Sequence, residues 1–370
     1  MSIEIHPTIA AISPYTPGRL AEEIEREFGI TQATKLASNE NALGPSPKAL
    51  SVLQDVTRTL NRYPDGNGNA LKKALATKYG VAAERIILGN GSDELISLLV
   101  KVAMVPDDDA IIAAPSFSIY EKAVASVFGN ATIVPLTNNR YDLSAMAKAI
   151  TPRTRLLFVC NPNNPTGTIV NNEQLIPFLH QIPKHALVVV DEAYGEYATA
   201  PNYPDTIGLL SQGYPLVVLR TFSKIYGLAG LRIGYGIGST DVIETMNKVR
   251  LPFNTNTLAQ RAAVAALQDD EHINASQTMN LTGKELFYDV FTQLGLSFVH
   301  SEANFVYVDT KKNGKAVFEA LLRFGVIVRH INGPMLRITV GLPHENEQFI
   351  AAFRSVMQAP SLSNMSRVTP

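Results

Sequence analysis

The amino-acid sequence predicts an α/β protein with a large domain, built on a mostly parallel β-sheet, and a smaller α+β domain. Three features of the 370-residue chain lead to this prediction. Short runs rich in Val, Ile and Leu alternate with longer segments of helical periodicity. These runs are continuously apolar, which is typical of parallel strands buried on both faces. After residue 265 the order of the elements changes, and the strands there suit antiparallel pairing.

The large domain is predicted over residues 31–265. Its apolar runs alternate with helix-like segments, so each connection between parallel strands is expected to be a right-handed crossover. The run "RIILG", for example, leads directly into "SDELISLLVKVA". The candidate strands of this domain are residues 85–89, 109–115, 155–160, 186–193 and 215–220.

The small domain is predicted from residues 1–30 together with residues 266–370. The first thirty residues offer no strand partner of their own, so they are expected to pack against the C-terminal part. There the sequence predicts a long amphipathic helix over residues 266–292 and a final helix from His344. Between these helices it predicts strands within residues 297–310, a helix over residues 314–324, and strands over residues 326–331 and 335–341.

Composition and charge exclude several classes of protein. Lys and Arg number 32 against 33 Asp and Glu, a balance that offers no general attraction to nucleic acid or acidic membranes. Cys160 is the single cysteine, which excludes an internal disulfide and a multi-cysteine zinc site, and no metal is expected. No apolar run approaches the roughly 20 residues that span a bilayer, and the N-terminus lacks the pattern of a secretion signal. A soluble cytoplasmic protein is therefore expected.

Polar segments follow all five candidate strands of the large domain. The carboxyl ends of parallel strands meet at one edge of an open sheet, where ligands of such folds bind. Turn formation accounts for many of the Asn, Gly, Pro and Ser residues there, but not for Asp191 and Lys224. The five segments are "GNGSDE" (89–94), "PSFSIY" (115–120), "NPNNPTG" (161–167), "DEAY" (191–194) and "TFSK" (221–224).

Asp191 and Lys224 each have an ordinary explanation. Asp191 could cap the following helix, and Lys224 could be a surface lysine. A carboxylate that follows five apolar residues is costly to bury without a cation, however, and a lysine at a neighbouring strand end favours a ligand shared by both. The spacing of the glycines fits neither a P-loop nor a dinucleotide-binding G-x-G-x-x-G, and no G-x-S-x-G elbow is present.

A pyridoxal phosphate ring would satisfy this pair. The cofactor needs a lysine for its aldehyde, an acid that keeps its pyridine nitrogen protonated, and a pocket for its phosphate. The helix that opens at "GSDE" would offer backbone N–H groups to the phosphate. Hydroxyl groups of Thr221 and Ser223 and the guanidinium of Arg232 would complete that pocket.

An ordered set of motifs carries a resemblance to a known family. The segments "NPNNPTG", "DEAY" and "TFSKIYGLAGLRIGY" resemble the fold-type-I pyridoxal-phosphate aminotransferases of the aspartate aminotransferase superfamily. Within that superfamily, "LASNENALGPSP", "RYPDG", "GNGSDE" and "LRITVG" resemble the histidinol-phosphate aminotransferases. The resemblance covers nearly the whole chain. It implies a seven-stranded, mostly parallel sheet in a cofactor-binding large domain.

The resemblance also implies roles for individual residues around the cofactor. Lys224 would bond to the aldehyde and serve as general base, while Asp191 would pair with the pyridine nitrogen. Asn164 and Tyr194 would hydrogen-bond the 3-oxygen of the ring. Phe117, where the family often has tyrosine, would stack on the ring without a hydroxyl to donate. The phosphate would be held by Ser92, Asp93, Thr221, Ser223 and Arg232.

Further implied roles concern the substrate and a second copy of the chain. Arg337 would anchor the substrate's carboxylate or phosphate, with Arg329 as a second candidate whose alternative is a structural ion pair. Tyr15 would close over the substrate, which Asn164 would also contact. The cleft would lie between the two domains, and their closure would exclude water. Tyr63 would reach the phosphate of a partner subunit, which implies a homodimer.

The function that the resemblance favours is transamination between L-histidinol phosphate and 2-oxoglutarate in histidine biosynthesis. The partners would then be a small-molecule amino donor and a 2-oxo acid, with no nucleic acid and no membrane. An aromatic-amino-acid aminotransferase and a threonine-phosphate decarboxylase are alternatives on the same scaffold. A non-catalytic cofactor-binding protein is a further alternative, against which the combination of Lys224, Asp191, Asn164 and Arg232 argues.

Overall fold

The computed structural model describes residues 4–359. Residues 1–3 and 360–370, which the prediction assigned to the small domain, lie outside the described residues. The strands are β1 (Thr34–Lys35), β2 (Ile86–Gly89), β3 (Asp109–Ala114), β4 (Asn130–Pro135), β5 (Thr154–Cys160), β6 (Leu187–Asp191), β7 (Leu216–Thr221), β8 (Gly234–Ile237), β9 (Ser297–Val299), β10 (Phe305–Asp309), β11 (Val326–Ile327), β12 (Arg329–Asn332) and β13 (Met335–Thr339). The α-helices are α1 (Pro7–Ala10), α2 (Ala21–Phe28), α3 (Pro47–Val56), α4 (Asn69–Tyr79), α5 (Ser92–Ala103), α6 (Ile119–Ser126), α7 (Leu143–Lys148), α8 (Asn172–Leu179), α9 (Thr206–Ser211), α10 (Thr240–Val249), α11 (Thr257–Ala266), α12 (Asp270–Gln293), α13 (Gly314–Arg323) and α14 (Pro343–Gln358).

The central sheet has seven strands in the order β2-β8-β7-β6-β5-β3-β4. The strands from β7 to β4 pair in parallel. β8 is antiparallel to both of its neighbours, β2 and β7. The predicted fold class, an α/β protein with a mostly parallel seven-stranded sheet, is confirmed.

The core of the large domain lies on both faces of this sheet. Val188, Val189 and Val190 of β6 are each fully buried, as are Val217 and Val218 of β7. Side chains of successive strand residues point to opposite faces, so complete burial of consecutive residues requires cover on both sides. The continuous apolar runs in the sequence follow from this arrangement.

Two strands of the central sheet were missed by the sequence analysis. β4 lies at the edge of the sheet and exposes most of its residues, so it has no continuous apolar run. β8 contains two glycines, which are poor strand formers. Gly234 is required by packing, because a Cβ there would stand 2.7 Å from the backbone nitrogen of Ser92. The glycine therefore lets the first turn of α5 approach the sheet.

The C-terminal part forms a second sheet with its own core. Its four strands are antiparallel, in the order β12-β13-β10-β9. Helices α12, α13 and α14 supply apolar side chains to a cluster separate from that of the large domain. β13 lies between β12 and β10, which places Arg337 in the interior of this sheet.

Two predicted elements of this part are wrong in their limits. The strand predicted over residues 326–331 is divided, because β11 pairs with β1 whereas β12 pairs with β13. The helix predicted over residues 266–292 begins only at Asp270, after α11 has ended at Ala266. Asp269 holds the turn between them by accepting hydrogen bonds from the Ser46 hydroxyl and the Lys48 amide.

The N-terminal segment packs against the C-terminal part, as Ile24 of α2 lies in one apolar cluster with Leu322 and Ile327. No helix within residues 4–359 is long and apolar enough to cross a membrane. In the same range, no group of His, Cys, Asp and Glu side chains is suited to a metal ion.

Candidate active site

A cavity of about 300 Å³ opens at the carboxyl edge of the central sheet. The segments that follow β2, β3, β5, β6 and β7 all contribute to its lining, so the five polar segments meet as the strand order requires. Of the predicted site residues, those that line the cavity are Tyr15, Ser92, Asp93, Phe117, Asn164, Asp191, Tyr194, Thr221, Ser223, Lys224 and Arg232. Tyr63, Arg329 and Arg337 are not among the lining residues.

Lys224 follows β7 by three residues and turns its amine into the cavity. Its Nζ donates to the carbonyl oxygen of Ser38 at 3.3 Å and lies 5.5 Å from the centre of the Tyr194 ring. Burial and, to a smaller extent, the nearby Arg337 guanidinium lower the pKa of Lys224 to about 8. A substantial fraction of this lysine is therefore a neutral amine, the nucleophilic form, near pH 8.

Asp191 is the last residue of β6 and is 2% exposed. Its Oδ2 accepts a hydrogen bond from the Tyr120 hydroxyl at 2.7 Å, and its Oδ1 accepts from the backbone N–H of Ala193 at 3.1 Å. The second contact lies within the turn after β6 and caps no helix, because the short helix that follows, Gly195–Tyr197, has Tyr194 as its N-cap. Within residues 4–359, no cation forms an ion pair with Asp191. Burial accordingly raises the pKa of its carboxyl to about 6.

The start of α5 forms one end of the cavity. Gly91 precedes the helix with φ +75°, a conformation that disfavours any side chain. A Cβ at Gly91 would also stand 2.4 Å from Nη2 of Arg232. The Arg232 guanidinium bridges two predicted phosphate-site residues: Nη1 donates to Ser223 Oγ at 3.3 Å, and Nη2 lies 3.7 Å from Asp93 Oδ2. Free helix N–H groups beside a guanidinium make this end attractive to an anion.

Thr221 stabilises the loop that forms this end of the cavity. Its Oγ1 accepts a hydrogen bond from the backbone N–H of Ser223 at 3.0 Å and donates to the carbonyl oxygen of Ile233 at 3.4 Å. Phe117 lies on another side of the cavity, with its ring edge-on to Tyr120 at 5.6 Å between centroids.

Arg337 is buried without an acidic partner. It is 8% exposed, and no ion pair involving it forms among residues 4–359. It donates to Asn164 Oδ1 and to the carbonyl oxygen of Ala37, whereas its Nε has no hydrogen-bond partner. Burial and the neighbouring Arg329 lower its pKa. A buried guanidinium with an unsatisfied donor is suited to an anionic ligand.

Arg329 and Tyr15 lie together beside the cavity. Arg329 is partly buried, donates to the carbonyl oxygen of Thr16 at 3.1 Å, and stands 5.8 Å from the centre of the Tyr15 ring. Tyr15 is 54% exposed and also faces Lys122. Since no acidic side chain pairs with Arg329 in the described chain, the alternative of a structural ion pair has no support there.

Tyr63 lies away from the cavity of its own chain. It is 82% exposed and stacks on Phe253 with ring centroids 4.6 Å apart. Leu60, which is 60% exposed, lines one surface groove together with the Tyr63 and Phe253 pair, and Leu251, which is 69% exposed, lies two residues before Phe253. This apolar surface is unusually exposed for a single chain.

Several contacts of the site were not found by sequence reasoning. Tyr120 was given no role in the sequence analysis, yet its hydroxyl donates to Asp191. Ser38, Asn39 and Glu40 lie in "LASNENALGPSP", which carried a resemblance but no assigned role; Ser38 and Glu40 line the cavity. The signal for Tyr120 was its position in the first turn of a helix that begins just after a strand end, close to the other polar segments.

Comparison with known proteins adds a family to this geometry. The sequence model of the family "Aminotransferase class I and II" matches residues 31–353. The chain belongs to this aminotransferase family. It is 51% identical over 354 residues to the histidinol-phosphate aminotransferase of Moorella thermoacetica, an alignment that covers 94% of this chain and 92% of that protein. Histidinol-phosphate aminotransferase 1 of Nitrosococcus oceani is 46% identical, with 95% and 96% covered.

Solved structures of similar fold agree with the family assignment. The histidinol-phosphate aminotransferase from Sinorhizobium meliloti, in complex with pyridoxal-5'-phosphate, superposes on this aminotransferase with a TM-score of 0.89 at 27% identity, covering 97% of this chain and 98% of that one. The aspartate aminotransferase from Thermus thermophilus with maleate gives a TM-score of 0.82 at 21% identity, covering 96% and 100%. The second likeness concerns the fold alone.

Proposed function

We propose that the protein is a histidinol-phosphate aminotransferase, which uses pyridoxal phosphate to exchange an amino group between L-histidinol phosphate and 2-oxoglutarate in histidine biosynthesis. One observation carries this proposal. A lysine of lowered pKa and a buried carboxylate without a cation, Lys224 and Asp191, open into one cavity. The names of the relatives that are 42–51% identical over nearly the full chain support the same activity.

The residues present fit pyridoxal phosphate. The buried Asp191 carboxylate, whose pKa is raised to about 6 by burial, would be stabilised by a protonated pyridine nitrogen. Lys224 supplies an amine that can bond to an aldehyde. The Gly91 turn, the start of α5 and Arg232 would hold the phosphate, since helix N–H groups and a guanidinium close together at this end of the cavity favour an anion. When bound, the cofactor supplies a ring that withdraws electrons from the substrate's α-carbon.

Individual side chains would then have separate roles in the reaction. Lys224 would hold the cofactor, and its Nζ, in the neutral form, would take up and return the proton of the substrate's α-carbon. Asp191 would keep a proton on the pyridine nitrogen, and Tyr120 fixes the direction of its carboxylate. Tyr194 and Asn164, which line the cavity, would orient the 3-oxygen of the ring, and Phe117 would cover one ring face.

Arg337 would bind an anionic group of each substrate. In L-histidinol phosphate this group is the phosphate, and in glutamate it is a carboxylate. A buried guanidinium with an unpaired Nε can accept either group with little reorganisation. Arg329 and Tyr15 would close the mouth of the cleft over the substrate and limit the entry of water.

A homodimer would complete the site. Tyr63, Phe253, Leu60 and Leu251 expose an apolar surface of the kind that pairs with a second subunit. Tyr63, which does not line the cavity of its own chain, would then contribute its hydroxyl to the phosphate in the partner's cavity.

A substrate panel tests the proposed function. Steady-state rates are measured for L-histidinol phosphate, phenylalanine and threonine phosphate, each with 2-oxoglutarate and pyridoxal phosphate. We expect the specificity constant for L-histidinol phosphate to exceed that for phenylalanine by at least about 100-fold, because Arg337 then meets a phosphate. A preference for phenylalanine would instead assign an aromatic aminotransferase, and carbon dioxide release from threonine phosphate would assign a decarboxylase.

A further inference from the structure

The segment Ala37–Asn39 connects three groups of the proposed site. It follows β1 and crosses between the large and small domains. The Ala37 carbonyl accepts a hydrogen bond from Arg337, and the Ser38 carbonyl accepts one from Lys224 Nζ. The Asn39 side chain then donates from Nδ2 to the Tyr194 hydroxyl oxygen at 2.8 Å.

The orientation of the Asn39 amide follows from its other contacts. The backbone N–H of Asn39 donates to Thr339 Oγ1 at 3.0 Å, so the Thr339 hydroxyl must send its own proton elsewhere. Asn39 Oδ1 lies 2.9 Å from that hydroxyl and accepts the proton. With Oδ1 committed to Thr339, Nδ2 is the atom that faces Tyr194, and it can only donate.

These contacts determine where the Tyr194 hydroxyl can donate its proton. A phenol oxygen accepts a hydrogen bond through a lone pair and keeps its single proton for another acceptor. Because Asn39 Nδ2 occupies the oxygen as a donor, the Tyr194 proton cannot be directed at Asn39. Tyr194 is 4% exposed and lines the cavity, so an acceptor in the cavity receives that proton.

We propose that Asn39 is a positioning residue, which forces the Tyr194 hydroxyl to donate into the cavity, toward an anionic oxygen of the bound ring. This inference rests on the proposed function, because the ring oxygen belongs to pyridoxal phosphate. Thr339, on β13 two residues after Arg337, fixes the Asn39 amide and so connects the strand of the anion anchor with the hydroxyl that serves the ring.

The alternative is that Asn39 is present only for its backbone. Its φ of +54° is left-handed, a region that asparagine tolerates better than most residues. Aspartate tolerates that region comparably, so Asn39→Asp preserves the backbone, replaces the Nδ2 donor that faces Tyr194 with a carboxylate oxygen, and adds a negative charge. A carboxylate oxygen cannot donate, and the Tyr194 proton would then turn toward this carboxylate and away from the cavity. Thr339→Val, which adds no charge, separates the loss of the donor from the effect of the charge.

The test is a pH titration of the visible absorption band of the protein loaded with pyridoxal phosphate. A donor to the ring's 3-oxygen favours its anionic form and lowers the pH midpoint of the band. We expect Asn39→Asp to raise the midpoint by about one pH unit, roughly a tenfold change in proton affinity. Tyr194→Phe should raise it similarly, and the double variant should go no further than Tyr194→Phe, because both changes remove one hydrogen bond.

Thr339→Val provides a second variant that leaves Asn39 and Tyr194 intact. It releases the amide of Asn39, so the midpoint should rise in the same direction by a smaller amount. A wild-type midpoint in both Asn39→Asp and Thr339→Val would overturn the positioning role, and so would a shift in Asn39→Asp that adds in full to that of Tyr194→Phe. If the wild-type protein shows no band and binds no pyridoxal phosphate, the proposed function itself is overturned, and the role of Asn39 with it.

Discussion

Burial shifts the pKa values of Lys224 and Asp191, the two residues at the centre of the cavity, in opposite directions. It disfavours the charged form of each, so the pKa of Lys224 falls to about 8 and that of Asp191 rises to about 6. Lys224 gains nucleophilic character as a result. Asp191 instead acquires a preference for a cationic neighbour, which the described chain does not provide as an ion pair. Together, these two pKa shifts suit a ligand that carries an aldehyde on a cationic ring.

The raised pKa of Asp191 predicts a pH-dependent stability of the cofactor-free protein. The folded protein retains this proton to about pH 6, whereas the unfolded chain releases it near pH 3.8. Its stabilising contribution is therefore present below pH 3.8 and is lost as the pH rises through 6. Asp191→Asn lacks this loss and should be more stable than wild type at pH 7 by about 3 kcal/mol.

Urea unfolding of the two cofactor-free proteins between pH 3.5 and 7 measures this difference. The gap should close below about pH 4, and pyridoxal phosphate should stabilise the wild type more than Asp191→Asn. Parallel pH profiles for the two proteins would show that the Asp191 carboxyl does not have a raised pKa.

Replacement of Lys224 separates binding of the cofactor from its attachment. Lys224→Ala should still bind pyridoxal phosphate through the phosphate site, but transamination should fall by at least about 1,000-fold, because the general base is lost. Borohydride reduction and peptide mass analysis should find the cofactor on Lys224 in wild type and on no residue in the variant. Lys248→Ala, an exposed lysine of α10, is the control and should behave as wild type. Modification of another lysine in the wild-type protein would exclude the role of Lys224.

At the scale of elements, we expect the turn before α5 to determine how closely an anion can approach. Gly91→Ala would strain a backbone with φ +75° and place a Cβ against the Arg232 guanidinium. We expect at least about a tenfold loss of pyridoxal phosphate affinity, since the N–H groups and guanidinium of this end would move apart.

Gly80→Ala is the matched control for that change. Gly80 ends α4 with φ +64°, but nothing lies within 4 Å of its Cβ position. Gly80→Ala should lose roughly 1 to 2 kcal/mol of stability from left-handed strain, and Gly91→Ala should lose at least as much, because its φ and ψ are open essentially to glycine alone. Titration with pyridoxal phosphate should distinguish them, and equal affinities in Gly91→Ala and Gly80→Ala would disprove an anion site at the start of α5.

β13 holds Arg337 in a buried position, where it donates to Asn164 of the cavity lining. Arg337→Lys keeps a charge but loses the forked donors. We expect KM for L-histidinol phosphate and for glutamate to rise by about 10- to 100-fold, the loss of one charge-assisted hydrogen bond, with a smaller effect on kcat. Arg155→Lys makes the same change at an arginine that pairs with Asp108 away from the cavity, and its kinetics should stay at wild-type values. An unchanged KM in Arg337→Lys would refute the anion anchor.

At the scale of the whole molecule, the site and the subunit interface are proposed to be one structure. Chains of Lys224→Ala and of Tyr63→Ala should each have low activity alone. In a mixed dimer, the Tyr63→Ala chain keeps its own Lys224 and receives Tyr63 from its partner, so one site is intact. Random exchange produces half mixed dimers with one working site of two, and activity should recover to about a quarter of wild type.

That recovery is measured after the two variants are unfolded together and refolded, with sedimentation to verify a mass twice that of the chain. Refolding of each variant separately is the control for recovered folding alone. Activity that stays at the sum of the two variants would mean that Tyr63 acts within its own chain or not at all.

The large-scale arrangement was accessible from the sequence because it depends on patterns repeated along the chain. Continuous apolar runs required a sheet buried on both faces, and polar residues at the ends of those runs had to meet at one edge. Asp191 and Lys224 were found for that reason. β4 and β8 were not predicted, because an exposed edge strand and a glycine-rich strand lack the repeated pattern.

The hydrogen bonds that orient the side chains of the site could not be predicted from such patterns. Tyr120 and Asp191 are 71 positions apart, Asn39 and Tyr194 are 155 apart, and Asn164 and Arg337 are 173 apart. A residue pattern predicts which face of an element is buried, but a hydrogen bond requires two particular atoms within about 3 Å. That distance depends on how the elements pack against each other, so the partners of Asp191, Tyr194 and Arg337 became known only once the folded chain had brought them together.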